Sequence, residues 1–145
     1  KGDLIHELLS HIYSLEDIQI VLDKYYLKGK IDKAEKEYFI KIFKKIHLHP
    51  MIKKYFSKKY LSMNEKNILM PYKNILRPDR ISYDDKICVV IDYKTGSKKE
   101  KDNLQVIEYM KYMREILSKE TLGFIVYIED DNLSVKQINF QTNKN

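Results

Sequence analysis

The chain of 145 residues holds one cysteine, four glycines and three prolines, and each scarcity excludes something. With Cys88 alone there can be no internal disulfide and no cysteine-built metal cluster, so a reducing, cytoplasmic setting is expected. Sparse Gly and Pro, with no repeat and no low-complexity tract, place the chain among ordinary globular sequences. No apolar run approaches the roughly 20 residues that span a bilayer, so no membrane partner is expected. Acid is missing from one stretch: Lys44 to Tyr60, KKIHLHPMIKKYFSKKY, carries six lysines and neither Asp nor Glu.

What is present is a 43% hydrophobic chain of net charge +6, long enough to bury a sizeable core. The basic stretch interleaves its lysines with Tyr55, Phe56 and Tyr60, a composition that suits a polyanion; a solvated helix end would read the same way. The chain opens on Lys1-Gly2 rather than Met, which is expected of a piece of something longer.

Hydrophobic spacing divides the chain. Leu4, Ile5, Leu8, Leu9 and Ile12 recur at helical period. A second helix, with Ser14 in the capping place, would bury Ile18, Val21, Leu22 and Tyr25 and end at Lys28-Gly29-Lys30. Asp32 and Glu35 have the spacing of a capping box for a third helix through Phe39, Ile42, Phe43 and Ile46, and a short helix over Met51 to Phe56 follows. The pattern then changes to strands over Asn67–Tyr72, Leu76–Ser82 and Ile87–Lys94, a helix over Asp102–Leu117, and strands over Thr121–Ile128 and Leu133–Asn139. The expectation is an α/β domain over residues 1–140, with a helical part to about residue 60 and a sheet core from about residue 65. Its core would be a mixed five-stranded sheet flanked by helices, and 141–145 would be a polar tail.

The most apolar run, ICVVID, reads as a strand buried on both faces, yet it leads into Asp92 and Lys94. Asp79 and Asp92 have a numerical midpoint of 85.5, inside the polar turn Tyr83-Asp84-Asp85-Lys86. A hairpin centred there sets the two carboxylates opposite one another on one face, with Cβ atoms roughly 4.5–5.5 Å apart. Lys94, two residues beyond Asp92, shares that face. Facing carboxylates repel, and a divalent cation between them would turn repulsion into binding. Such a cation lowers the pKa of a bound water and offsets charge on a phosphate under attack. An adjacent lysine can orient or deprotonate that water, or stabilise the developing charge. The plainer alternative is that these acids cap strand ends and pair with Arg77, Arg80 or Lys94.

Pro78-Asp79 followed by Asp92-Tyr93-Lys94 resembles the PD-(D/E)XK nuclease motif. Gly2 with His6, the run IDYKTG, and Gln105 with Tyr109 four residues on are similar to three elements of the RecB-like branch of helicase-linked nucleases. The resemblance spans Gly2 to about Phe140 and implies a restriction-endonuclease-like core. It implies a metal held by His6, Asp79, Asp92 and the Tyr93 carbonyl, with Lys94 as base or charge stabiliser. Mg²⁺ is the implied metal; an imidazole ligand suits softer ions, so Mn²⁺ is expected to substitute. Gln105 and Tyr109 share a helix face and would point at the site or at DNA, while Lys53, Lys54 and Tyr55 would guide the strand. Glu65 is a further acidic candidate upstream. The iron–sulfur members of the superfamily use four cysteines, so that cluster is not expected here, and no P-loop is present.

The function expected from this is Mg²⁺-dependent DNA hydrolysis. The form expected is an exonuclease acting on single strands with a free end, delivered by a helicase motor in the same polypeptide or a partner subunit, in DNA repair or recombination. A catalytically silent DNA-binding or docking module of a helicase is the alternative, and a purely structural interaction domain a third.

Overall fold

A computed structural model describes residues 2–66, 68–69 and 75–140. The chain opens with three helices, α1 (Gly2–Ser10), α2 (Asp17–Leu27) and α3 (Lys33–His47), and a 3₁₀ turn over Lys53–Phe56. Strands β1 (Leu61–Asn64), β2 (Ile68–Leu69), β3 (Ile75–Leu76), β4 (Arg80–Tyr83) and β5 (Ile87–Thr95) follow. Helix α4 (Glu100–Leu117) and strands β6 (Glu120–Glu129) and β7 (Asn132–Ile138) close it. Five strands make one mixed sheet in the order β1-β4-β5-β6-β7. Only β5 and β6 run parallel, and α4 is the crossover that a parallel pair requires. The fold is thus a mixed α/β sheet flanked by helices, with a helical N-terminal part. Among the described residues no helix is long and apolar enough to cross a membrane.

Strand alternation divides the core between the two faces. Val89, Ile91 and Tyr93 of β5, with Phe124, Val126 and Ile128 of β6, pack under α1, α2, α3 and the 3₁₀ turn. Cys88, Val90 and Ile125 face the other way, onto Val106, Tyr109, Met110 and Met113 of α4. Strand β5 is therefore buried on both sides, as its unbroken apolar run requires.

Several boundaries differ from the sequence expectation, each for a local reason. The first strand of the main sheet is β1, not Asn67–Tyr72; Ile68 and Leu69 instead pair with Leu76 and Ile75 in a small separate hairpin. Asn67 and residues 70–72 lie outside the described residues. The strand expected over Leu76–Ser82 is two pieces, broken at Arg77-Pro78-Asp79, where proline has no N–H to give a ladder. Helix α1 stops at Ser10, although Ile12 is still buried beyond it. Ser14 does not cap α2: the Asp17 carboxylate accepts from the Tyr13 and Ser14 amides at 3.0 Å, and Glu16 occupies the N-cap position. The Asp32–Glu35 capping box is formed, with reciprocal bonds of 2.7 and 2.9 Å.

Helix α4 crosses β6 at Gly123, where a Cβ would overlap Met110 Sδ and lie 3.0 Å from Val106 Cγ1. Gly123→Ala is expected to lower stability by about 1–3 kcal/mol, toward the low end because Met110 is flexible. Chemical denaturation of the variant against the parent measures it; an unchanged midpoint would mean that α4 is not seated here.

Candidate active site

The β4–β5 ladder pairs Arg80 with Ile91 and Ile81 with Val90, and continuing that register by one residue sets Asp79 opposite Asp92. The turn that fixes this register is closed by Asp84, whose carboxylate accepts from the Lys86 and Ile87 amides at 2.9 and 2.8 Å. Asp92 and Lys94 project from β5 on the α4 side, as do Cys88 and Val90.

Asp79 is held from two directions: its Oδ2 accepts the Tyr93 amide at 2.8 Å and lies 3.3 Å from His6 Nε2. His6 Nε2 also lies 2.8 Å from the Tyr93 carbonyl oxygen, and Nδ1 lies 2.8 Å from the Gly2 carbonyl. Both ring nitrogens face acceptors, which favours the doubly protonated ring while no metal is bound; a metal taking Nε2 would have to displace that proton. The hydrogen bond to Asp79, outweighing partial burial, raises the His6 pKa to about 9. Gly2 belongs to the same arrangement, since a Cβ there would stand 3.0 Å from Thr95 Oγ1 at the end of β5. Burial pushes Asp79 up, but the bonds from His6, Asp92 and the Tyr93 amide hold its carboxyl below the usual range.

Asp92 is the opposite case. Its side chain is 4% exposed, and burial, followed by the charge of Asp79, raises its pKa to about 7. Lys94 Nζ stands 3.0 Å from the buried Asp92 Oδ2 as an ion pair. Lys94 also donates to Gln105 Oε1 at 2.6 Å, and Gln105 Nε2 donates to the Tyr109 hydroxyl at 3.1 Å. The one-turn spacing of Gln105 and Tyr109 on α4 builds a relay that holds the lysine beside the acid.

Among the described residues no three His, Cys, Asp or Glu side chains stand together as a ready metal cage. The donor set is two carboxylates, a backbone carbonyl and one imidazole; without a metal, His6 and Lys94 stand as counter-charges to Asp79 and Asp92, and a metal would take the place of the His6 proton. The burial of Asp92 beside the charge of Asp79 is what a divalent cation would relieve, and two carboxylates with a carbonyl are a donor set that fits one.

The pairing of His6 with Asp79 has a pH signature. The stability it contributes through His6 is fully present below pH 6.5 and is lost as pH rises through about 9. The part contributed through Asp79, whose pKa is depressed, is present above 3.8 and lost as pH falls. In EDTA the melting-temperature gap between the parent and His6→Ala is therefore expected to be widest between those limits and to close above about pH 9. A gap independent of pH would mean that the pair is not formed in solution.

The remaining residues singled out in the sequence lie elsewhere. Lys53 and Lys54 are exposed, but Tyr55 is 4% exposed, its ring 5.8 Å from that of Phe124 and 5.4 Å from that of Tyr60. Phe124 belongs to the core under the N-terminal helices, so the sheet separates this segment from Lys94 and Gln105. A buried ring cannot stack on a base, which corrects the expectation for Tyr55. Glu65 donates its amide to the Asp79 carbonyl at 2.9 Å, while its carboxylate pairs with Arg77 at 3.3 Å. Sequence reasoning missed Asn64 and offered Arg80 only as a partner for the acids, whereas both are buried and neither forms an ion pair with Asp79 or Asp92. The available signal was alternation: a residue directly after Asp79 must face the helices, where an exposed arginine has no place.

No protein-family model matches this chain, and no curated protein matches it. A solved structure described as "Crystal structure of SSO0001" is similar over 95% of this chain and 68% of its own, with 15% identity and a TM-score of 0.41. Likeness at that level says nothing about chemistry.

Proposed function

We propose that this chain is a metal-dependent deoxyribonuclease of the RecB-like PD-(D/E)XK kind, acting on single strands with a free end that a helicase motor delivers. The observation that carries the reading is the convergence of Asp79 and Asp92 where the β4–β5 ladder ends, with Lys94 on the same face and 3.0 Å from the buried Asp92 oxygen. Two acids brought together in a buried place, one of them with a raised pKa, are a costly arrangement for structure alone.

Asp79, Asp92, His6 and the Tyr93 carbonyl would hold Mg²⁺, with Mn²⁺ as a substitute. Bound there, the ion would supply a more acidic water and offset charge on the phosphate. Hydrolysis forms a bond from water oxygen to phosphorus and breaks the bond from phosphorus to the 3′ oxygen. The products are a 5′-phosphate and a 3′-hydroxyl that takes up a proton. Lys94 contributes positive charge where negative charge develops on the phosphoryl oxygens, and Gln105 keeps its ammonium from folding onto Asp92 alone. Lys53 and Lys54, across the sheet from this centre, suit phosphate contacts along a strand and not the cleavage itself.

The test is degradation of end-labelled linear single-stranded DNA in Mg²⁺, Mn²⁺ or EDTA, with a circular strand alongside. Loss of the linear strand only with metal, and survival of the circle, is the expected result. Salt-sensitive binding without cleavage under either metal would instead support a silent DNA-docking module.

A further inference from the structure

Helix α1 has nine residues, a length at which a helix is marginal without its packing. Its middle must nevertheless bring His6 to Asp79 and to the Tyr93 carbonyl, so what seats this helix sets that distance.

The far end of α1 is gripped by two side chains from the sheet. Asn64 Nδ2 lies 3.0 Å from the Ile12 carbonyl and 3.2 Å from that of Ser10, with the Leu9 carbonyl at 3.5 Å. Arg80 donates from Nη2 to the Tyr13 carbonyl at 2.9 Å, from Nη1 to the Ile12 carbonyl at 3.3 Å, and from Nε to Ser82 Oγ at 2.9 Å. Its guanidinium carbon stands 4.4 Å from the centre of the Phe56 ring. Arg80 is 2% exposed and Asn64 6%, and the two are direct partners in the β1–β4 register.

Among the described residues no carboxylate stands within ion-pair distance of Arg80. A buried guanidinium without one is costly. Here the carbonyls that follow the last turn of α1 supply the acceptors, and the negative end of the helix dipole adds to them. Asp79 and Arg80 are consecutive, so they leave the chain on opposite sides. One short segment thus carries both the acid that His6 meets and the clamp on the helix that bears His6.

We infer that Arg80 and Asn64 are positioning residues that seat α1 on the sheet and thereby hold His6 against Asp79 and the Tyr93 carbonyl. The consequence for metal binding rests on the nuclease reading; the seating itself does not. Supporting residues of this kind typically change metal affinity by about 10–100-fold when removed.

The test uses the full chain with Asn64→Ala, Arg80→Met and Arg80→Lys, and with Ile42→Val as a core variant away from the clamp. In EDTA, NMR follows exchange of the His6 ring N–H protons. Exchange is expected to be at least about tenfold faster in Asn64→Ala and Arg80→Met, close to the parent in Ile42→Val, and partly restored in Arg80→Lys. Mn²⁺ affinity, read by electron paramagnetic resonance, is expected to weaken by about tenfold or more in the first two and to hold in Ile42→Val. Should Arg80→Met fail to fold, Asn64→Ala decides, because it removes an amide and leaves the buried cation paired. Ring protons as protected in Asn64→Ala as in the parent would overturn the inference. A parent that binds no Mn²⁺ would overturn the nuclease reading, while the ring-proton result would still decide the seating of α1.

Discussion

Asp92→Asn is expected to abolish metal-dependent cleavage, by roughly 10³-fold or more, while making the metal-free chain more stable. The first effect follows, on the proposed reading, from losing one of two carboxylates that would hold an ion able to contribute several kcal/mol to the transition state. The second follows from the site itself. Burial and the neighbouring Asp79 raise Asp92 to about 7 from its ordinary 3.8, so the folded chain resists ionising it. The stability associated with the protonated form is fully present below pH 3.8 and is lost as pH rises through about 7. Asparagine keeps the shape of the protonated acid and has nothing to ionise. In EDTA the variant should melt with the parent near pH 4 and several degrees above it at pH 8. Mg²⁺ or Mn²⁺ should reverse the order at pH 8, stabilising the parent alone. A structural Asp92 would give the opposite result: a variant less stable at every pH and indifferent to metal.

That the same residue weakens the fold and belongs to the candidate site explains why it stood out beforehand. An acid at the end of ICVVID contradicts the run that leads to it, and such contradictions concentrate where chemistry is done. The register of Asp79 against Asp92 was also available, because a hairpin with a short polar turn leaves only one way to fold the numbers. Strand β1 was not available. Leu61–Asn64 is short and of mixed polarity, with only Asn64 fully buried, and an edge strand has no need of an apolar alternation. Tyr55 misled for a related reason. Aromatic residues among lysines describe a stacking surface and a helix end equally well, and only packing against Phe124 separates the two. Alternation after Asp79 hinted at an inward Arg80, but its pairing with Asn64 could not be read, since that depends on which strand lies beside β4.

Lys94 supplies the second large effect. Lys94→Gln is expected to lower kcat for cleavage by about 10²–10³-fold, the usual cost of removing one preorganised charge or donor, with Mn²⁺ affinity held within a few-fold. Its neighbours decide which of two roles is lost. The ammonium sits between the Asp92 carboxylate at 3.0 Å and the Gln105 amide oxygen at 2.6 Å, both of them acceptors. A lysine that served as base would have to turn a lone pair to the water, whereas with Asp92 ionised both neighbours attract the N–H groups of an ammonium. The arrangement favours a fixed cation beside the phosphate. Lys94→Arg, which keeps the charge and cannot serve as a base at ordinary pH, should therefore retain far more activity than Lys94→Gln. Gln105→Ala should fall between the parent and Lys94→Gln, because it frees the ammonium to swing fully onto Asp92 without removing it. Equal inactivity of the arginine and glutamine variants, with a rate that rises with pH in the parent, would transfer Lys94 from stabilising charge to accepting the proton of the attacking water.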